Sequence, residues 1–305
     1  MNPFMKTGSL RTMIRMFRHN LCFPADTVNK VPILYSTTNV SPRSNFNDTA
    51  NSLTLELIKN YGVKNERILQ KVVNIPILSN SDPHEWKKVM EILLYRGLSP
   101  VKSVLTVIKH PALLKMSSLK INRVWDDWVE CFQETELVKE LLEECPMFLS
   151  VSGKIEIEPK YEQLKAIVKS KKAVAKILMN CPQIMFQSLT ELQNVSDYLS
   201  EVMIARNAAE YSKSTVLGCT LQEVMIRHVF LDKCGKYKPP NLKQSESIPS
   251  GNASLSEIYD TSEEEFATKT AGVTLEEYVV FQSLFADELE DKRIISEEET
   301  DSDED

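Results

Sequence analysis

Seven lysines stand between residues 154 and 176: Lys154, Lys160, Lys165, Lys169, Lys171, Lys172 and Lys176. Four of them, Lys165, Lys169, Lys172 and Lys176, are separated by four, three and four residues. On an uninterrupted helix that spacing puts all four ammonium groups on one face. Like charges held so close repel one another unless an anion is near. A phosphate backbone is such an anion, and each contact to it releases condensed counterions. The same pattern also describes a solvated helix face. Arg206, Lys213, Arg227, Lys236 and Lys238 are further candidates for phosphate contacts, and Arg227 reads equally as a buried structural arginine.

Covalent and metal chemistry find no support in the residues. The six cysteines (Cys22, Cys131, Cys145, Cys181, Cys219 and Cys234) are scattered, with no C-x-x-C pair and no metal-ligand spacing. The histidines, His19, His84, His110 and His228, enter no arrangement resembling a catalytic triad, and there is no glycine-rich phosphate loop. The chain therefore reads as non-catalytic, with no metal and no cofactor.

The elements that must hold the lysines repeat. Pro76, Pro111, Pro146 and Pro182 lie 35, 35 and 36 residues apart. Four residues before each proline stand Val72, Val107, Leu142 and Leu178; two after it stand Leu78, Leu113, Phe148 and Ile184. The first two copies also carry a glycine 14 residues ahead of the proline, Gly62 and Gly97, whereas the later two have Phe132 and Val168 there. A period in this range marks a solenoid built from one supersecondary unit. The unit is read as a helix ending at a left-handed glycine, a second helix, and a proline that stops it. In the second copy Ser99 is the expected N-cap, Pro100 the first helical residue, and Val101, Val104, Leu105 and Ile108 the apolar stripe. A short apolar hook then tucks back. One such pair cannot bury its own apolar faces, so the copies must stack. Trp125, Trp128 and Phe132 read as core, as do Cys145 and Cys181, which occupy one equivalent place before the proline. The next proline falls due near residue 217, where Leu217 stands.

This pattern of glycine, helix and Pro-x-apolar-apolar resembles the mitochondrial transcription termination factor (mTERF) family over residues 52–240. The resemblance implies an all-α superhelical solenoid that binds nucleic acid. In that family an Arg-x-x-x-Leu helix followed by a glycine closes the repeats, and Arg227, Leu231 and Gly235 match it.

The two ends differ from the middle. Residues 1–25 contain no acid and mix Lys6, Arg11, Arg15 and Arg18 with Met13, Ile14, Met16 and Phe17. This is the composition of a mitochondrial transit peptide, read over residues 1–35, although a plain basic N-terminus has it too. Residues 36–51 read as a linker. No run of about 18 apolar residues suggests a membrane span. Residues 244–305 hold three bases and nineteen acids, so the chain's net charge of −7 belongs to its tail. Within 241–290 two helix starts are expected, Ser262 with Glu265 and Thr274 with Glu277, from their capping-box spacing. Tyr278, Phe281, Leu284 and Phe285 form a stripe that must dock on the solenoid or on a partner. Residues 291–305 read as a disordered acidic tail.

The order of motifs after the repeats resembles one member of the mTERF family. By that resemblance the chain is a mitochondrial matrix adaptor that pairs with a Sun-family RNA cytosine-5 methyltransferase and directs it to large-subunit rRNA, supporting ribosome biogenesis. Phe266, Tyr278, Phe281, Leu284 and Phe285 are then implied to face the partner. The alternative is a DNA-binding regulator of mitochondrial transcription, as in other family members.

Overall fold

The computed structural model describes residues 47–205, 208–239 and 251–301. The transit-peptide segment, most of the expected linker and Arg206 lie outside these residues. Helices α1 (Asn47–Asn60) and α2 (Glu66–Asn74) lead into a hook at Pro76–Ser79. Helices α3 (Pro83–Tyr95) and α4 (Pro100–Lys109) lead into Pro111–Lys115, and α5 (Ser118–Phe132) and α6 (Thr135–Glu144) into Pro146–Ser150. Helices α7 (Lys154–Val168) and α8 (Lys171–Asn180) lead into Pro182–Phe186. First helices stack on first helices, α3 on α5 on α7; second helices stack on second helices, α2 on α4 on α6 on α8. The fold is an all-α solenoid, with no strand among the described residues.

The residues that carry the period are its core. Val72, Val107, Leu142 and Leu178 are buried, and so are Leu78, Leu113, Phe148 and Ile184. Trp125, Trp128 and Phe132 pack inside as expected. Ser99 accepts the Lys102 N–H as N-cap of α4, with Pro100 at its start. The stripe expected on α4 is shifted. Ser103, Val104, Thr106 and Val107 are buried, while Val101 is exposed. A helix flanked by α2 and α6 buries a broader face than one apolar stripe.

Every first helix ends in the left-handed region, but glycine is not always there. Gly62 and Gly97 have φ of 92° and 88°, and Gly235 has 68°. In the intervening copies the place is taken by Gln133 (φ 51°), Lys169 (φ 55°) and Ile204 (φ 56°). Gln133 and Lys169 lie 13 residues ahead of their prolines, so counting 14 lands one residue inside the helix. The corner persists because the chain must reverse there; the loop after it is one residue shorter than in the second copy.

A fifth copy lacks the proline. Helix α9 (Leu189–Asp197) runs through a π turn at Tyr198–Val202; a short helix, Ala208–Tyr211, and a hook at Val216–Gly218 follow. Close packing replaces the proline here. A Cβ on Gly218 would lie 1.9 Å from Cys181 Sγ, so only glycine fits. Helix α10 (Leu221–Lys233) stacks on α9 and begins with a full capping box between Thr220 and Glu223. The chain continues in α11 (Leu255–Tyr259), a helical turn at Glu263–Glu265, a π turn at Phe266–Ala271, and α12 (Leu275–Asp301). Thr274 and Glu277 form the expected reciprocal cap. Ser262 accepts the Glu265 N–H at 3.2 Å.

Two expected boundaries move. Residues 47–51 of the expected linker are already helical in α1, and residues 291–301 of the expected disordered tail continue α12. No glycine or proline interrupts the sequence from Val273 to Asp301, so nothing stops the helix once it is capped.

Leu142→Ala should cost about 2–5 kcal/mol in a denaturant titration, as a cavity between stacked repeats. Gly218→Ala should cost about 1–3 kcal/mol by overpacking against Cys181. A Gly218→Ala variant as stable as the parent would show that the fifth hook is not held by that contact.

Candidate nucleic-acid interface

The lysine run does not form one helix face. Lys169 adopts the left-handed conformation after α7 ends at Val168, and Ser170 then caps α8 by accepting the Ala173 N–H. Lys165 is therefore on α7, Lys169 at the corner, and Lys172 and Lys176 on α8. Helical spacing holds only while the backbone stays helical, and one left-handed residue resets it. Lys165 is also engaged. Its Nζ lies 3.4 Å from Glu162 and 5.3 Å from the Tyr161 ring centre. Lys154, Lys165 and Lys171 line a polar cleft of about 200 Å³ with Glu130, Glu158 and Glu162, where the charges balance.

What remains is a cationic corner. Lys169, Lys172 and Lys176 are exposed and make no ion pair among the described residues, and α8 contains no acid. Elsewhere about half of the exposed lysines are held by a carboxylate or a carbonyl. Lys102 pairs with Glu143 at 2.7 Å, Lys109 with Glu144 at 2.8 Å, and Lys115 with Glu85 at 3.1 Å. Lys213 is exposed just ahead of the fifth hook, and Lys236 and Lys238 are exposed after α10. The Lys238 backbone is fixed by Asn252 through two 2.8 Å hydrogen bonds. Arg67 and Lys71, not singled out from sequence, are also exposed without an ion pair. They are the second and sixth residues of α2, as Lys172 and Lys176 are of α8. Comparison of the second helices by register carries that signal.

Another set of cations is structural. Lys160, only 3% exposed, donates from Nζ to the Gln187 carbonyl at 2.6 Å. Burial pushes its pKa down. Lys88 donates to the carbonyls of Leu114 (3.1 Å) and Met116 (2.8 Å), and Lys120 to that of Ser150 (3.3 Å). Each reaches from a first helix to the end of a hook 26–30 residues on. Arg227 repeats the device on α10. It donates to the Ile258 carbonyl, to the Thr261 carbonyl at 3.0 Å and to Thr261 Oγ1 at 3.4 Å. Its guanidinium carbon lies 4.9 Å from the Phe266 ring centre. Arg227 is thus a structural clamp, and its donors face the protein rather than a phosphate.

The aromatic stripe is a second correction. Phe266, Tyr278, Phe281 and Phe285 are all buried within the chain. Tyr278 and Phe281 pack on Phe230 of α10, with ring centres 5.0 and 4.9 Å away, and Phe266 lies 5.0 Å from Tyr278. Of the five residues implied to face a partner, Leu284 alone is exposed, at 38%. Val279 and Val280 share its exposure. Burial won because α10 is the last first-helix of the stack and its outer apolar face needs a cover. Asp260 fixes that cover. Its Oδ1 accepts the Thr215 N–H at 2.8 Å and the hydroxyls of Thr215 and Ser214 at 2.7 and 3.1 Å.

The cysteines at the repeat position are packing groups. Cys145 Sγ points to the Leu178 carbonyl at 3.9 Å, and Cys181 Sγ to the Thr215 carbonyl at 3.6 Å. Burial pushes their thiols up to about 11 and about 12. Such thiols are poor nucleophiles at neutral pH. No group of three His, Cys, Asp or Glu residues placed to hold a metal occurs among the described residues.

Arg227→Met should release α11 and α12 from α10 while the earlier repeats stay folded. Hydrogen exchange should rise in residues 251–289, with a global cost of about 1.5–3 kcal/mol for the lost charged hydrogen bonds. Unchanged exchange there would remove Arg227 from the clamp.

The comparisons with known proteins agree with this architecture. The family model described as mTERF matches residues 55–244. Mouse "Transcription termination factor 4, mitochondrial" is 26% identical over 207 residues, which is 68% of this chain and 59% of that protein. The chain thus aligns with less than two thirds of the relative's length. With a helix–helix–hook solenoid and a family match over most of its repeats, this chain belongs to the mTERF family.

Proposed function

We propose that this chain is a non-catalytic, mitochondrial RNA-binding adaptor. It holds rRNA of the large ribosomal subunit and pairs with a Sun-family RNA cytosine-5 methyltransferase. The observation that carries the nucleic-acid half is the corner at Lys169, Lys172 and Lys176. In a solenoid that ties about half of its cations to carboxylates or carbonyls, these three keep unneutralised charge together at one corner in solvent. A lysine held there seats a phosphate without base readout, so binding is backbone-driven and salt-dependent. The partner half has its support in α12, whose Val280 and Leu284 are four residues apart and exposed beside a buried aromatic face. A DNA-binding regulator of transcription is the second reading; the name of the mouse relative favours it.

The triple variant K169E/K172E/K176E should bind RNA more weakly. The slope of log K against log salt should become shallower by about two for three lost phosphate contacts. Unchanged affinity and slope would take the corner out of the site. Competition between rRNA fragments and duplex DNA separates the two readings. For the partner, V280D/L284D is the informative variant, since truncation before α11 would strip the cover from Phe230. Loss of methyltransferase co-purification with an unchanged melting curve is the expected result; full co-purification would place the contact elsewhere.

A further inference from the structure

The second helices present one outward register, and its charge changes sign along the stack. The second and sixth residues of these helices are Arg67 and Lys71 on α2, Val101 and Leu105 on α4, Glu136 and Glu140 on α6, and Lys172 and Lys176 on α8. All are exposed except Leu105, which is half-buried. Because α2, α4, α6 and α8 touch in that order, the surface reads positive, apolar, negative, positive. The charges near the negative step are accounted for. Glu136 pairs with Lys139, Glu143 with Lys102 and Glu144 with Lys109, which leaves Glu140 without an ion pair among the described residues.

We infer that Glu136 and Glu140 are specificity-determining residues that divide this face into two cationic seats and keep an extended single strand from lying along it. The inference rests on the nucleic-acid reading above and deepens it. Packed helix axes lie about 8–10 Å apart, so α2 and α8 stand roughly 24–30 Å from each other along the stack. A flexible strand following that surface must carry phosphates over α6, where four glutamates meet three paired lysines and the excess negative charge repels them. Nucleic acid that leaves the surface between the seats avoids the repulsion; a stiff paired segment does this at no bending cost over so short a span. The two glutamates thus act against one form of ligand while touching neither seat.

The test uses the full chain and two probes of one sequence, an unstructured 20-nucleotide RNA and the same RNA annealed to its complement. Binding is read by fluorescence anisotropy at several salt concentrations for the parent and for E136Q/E140Q, R67E/K71E and K172E/K176E. Melting curves confirm that these exposed substitutions leave the fold intact. E136Q/E140Q should tighten single-strand binding by roughly tenfold at low salt, fading as salt is raised, and change the paired probe far less. R67E/K71E and K172E/K176E should each weaken the paired probe. If the two basic variants weaken binding but E136Q/E140Q leaves the single strand unchanged, the divider is wrong and the nucleic-acid reading stands. An equal gain for both probes would also overturn the divider, since it would be nonspecific charge. If no variant changes binding of either probe, the second-helix face is not the nucleic-acid surface and both readings fall.

Discussion

A chain that reverses after every second helix leaves carbonyl oxygens at the reversal, and these must find donors once the next repeat covers them. In this solenoid each hook receives a donor from a side chain. Trp86 Nε1 donates to Leu78 at 3.4 Å, and Trp128 Nε1 to Phe148 at 3.2 Å. Lys88 serves the second hook, Lys120 the third and Lys160 the residue that ends the fourth. At the fifth hook Gln187 Nε2 donates to Gly218 at 2.8 Å. Stacking buries apolar area without direction; these bonds give it register. A repeat that slid along the stack would leave a carbonyl buried and unpaired, at a cost of about 1–3 kcal/mol each.

That constraint also sorts the cations. A solenoid with a nearly even charge balance looks like a weak nucleic-acid binder if every lysine is counted alike. The structure does not use them alike. Some are donors to hooks, some are locked in ion pairs between neighbouring second helices, and the rest face water unneutralised. The remainder defines the candidate interface, so its strength depends on where the free charges sit and not on their net sum. Arg227 shows the sorting most clearly. It has the residue type and position of a phosphate contact, yet its donors already serve Ile258 and Thr261.

The same logic explains the C-terminal segment. A stack of helix pairs ends with an apolar face open to solvent unless something covers it. Helix α10 would expose Phe230, and the aromatic residues of the π turn and α12 close over it. The segment after the repeats is therefore the cap of the solenoid. Its helix α12 has two faces: Tyr278, Phe281 and Phe285 are buried, Val280 and Leu284 exposed.

The repeat was legible in the sequence because it is local chemistry written several times. A proline stops a helix wherever it stands, and an apolar residue four before it or two after it recurs because each copy meets the same neighbour. Leu142 and Phe148 were identifiable as core on that ground alone. The sequence by itself thus determined the helix–helix–hook unit, its stacking and most of the buried positions. Only the tertiary structure decided which charges are free, where the lysine run breaks and which way the aromatic stripe faces. Those outcomes depend on partners 26–41 residues away, such as Lys160 with Gln187 or Lys102 with Glu143. They also depend on single backbone torsions, such as φ at Lys169, that no side-chain pattern announces. Periodicity reports what every repeat shares; a binding site is made from what one repeat does differently.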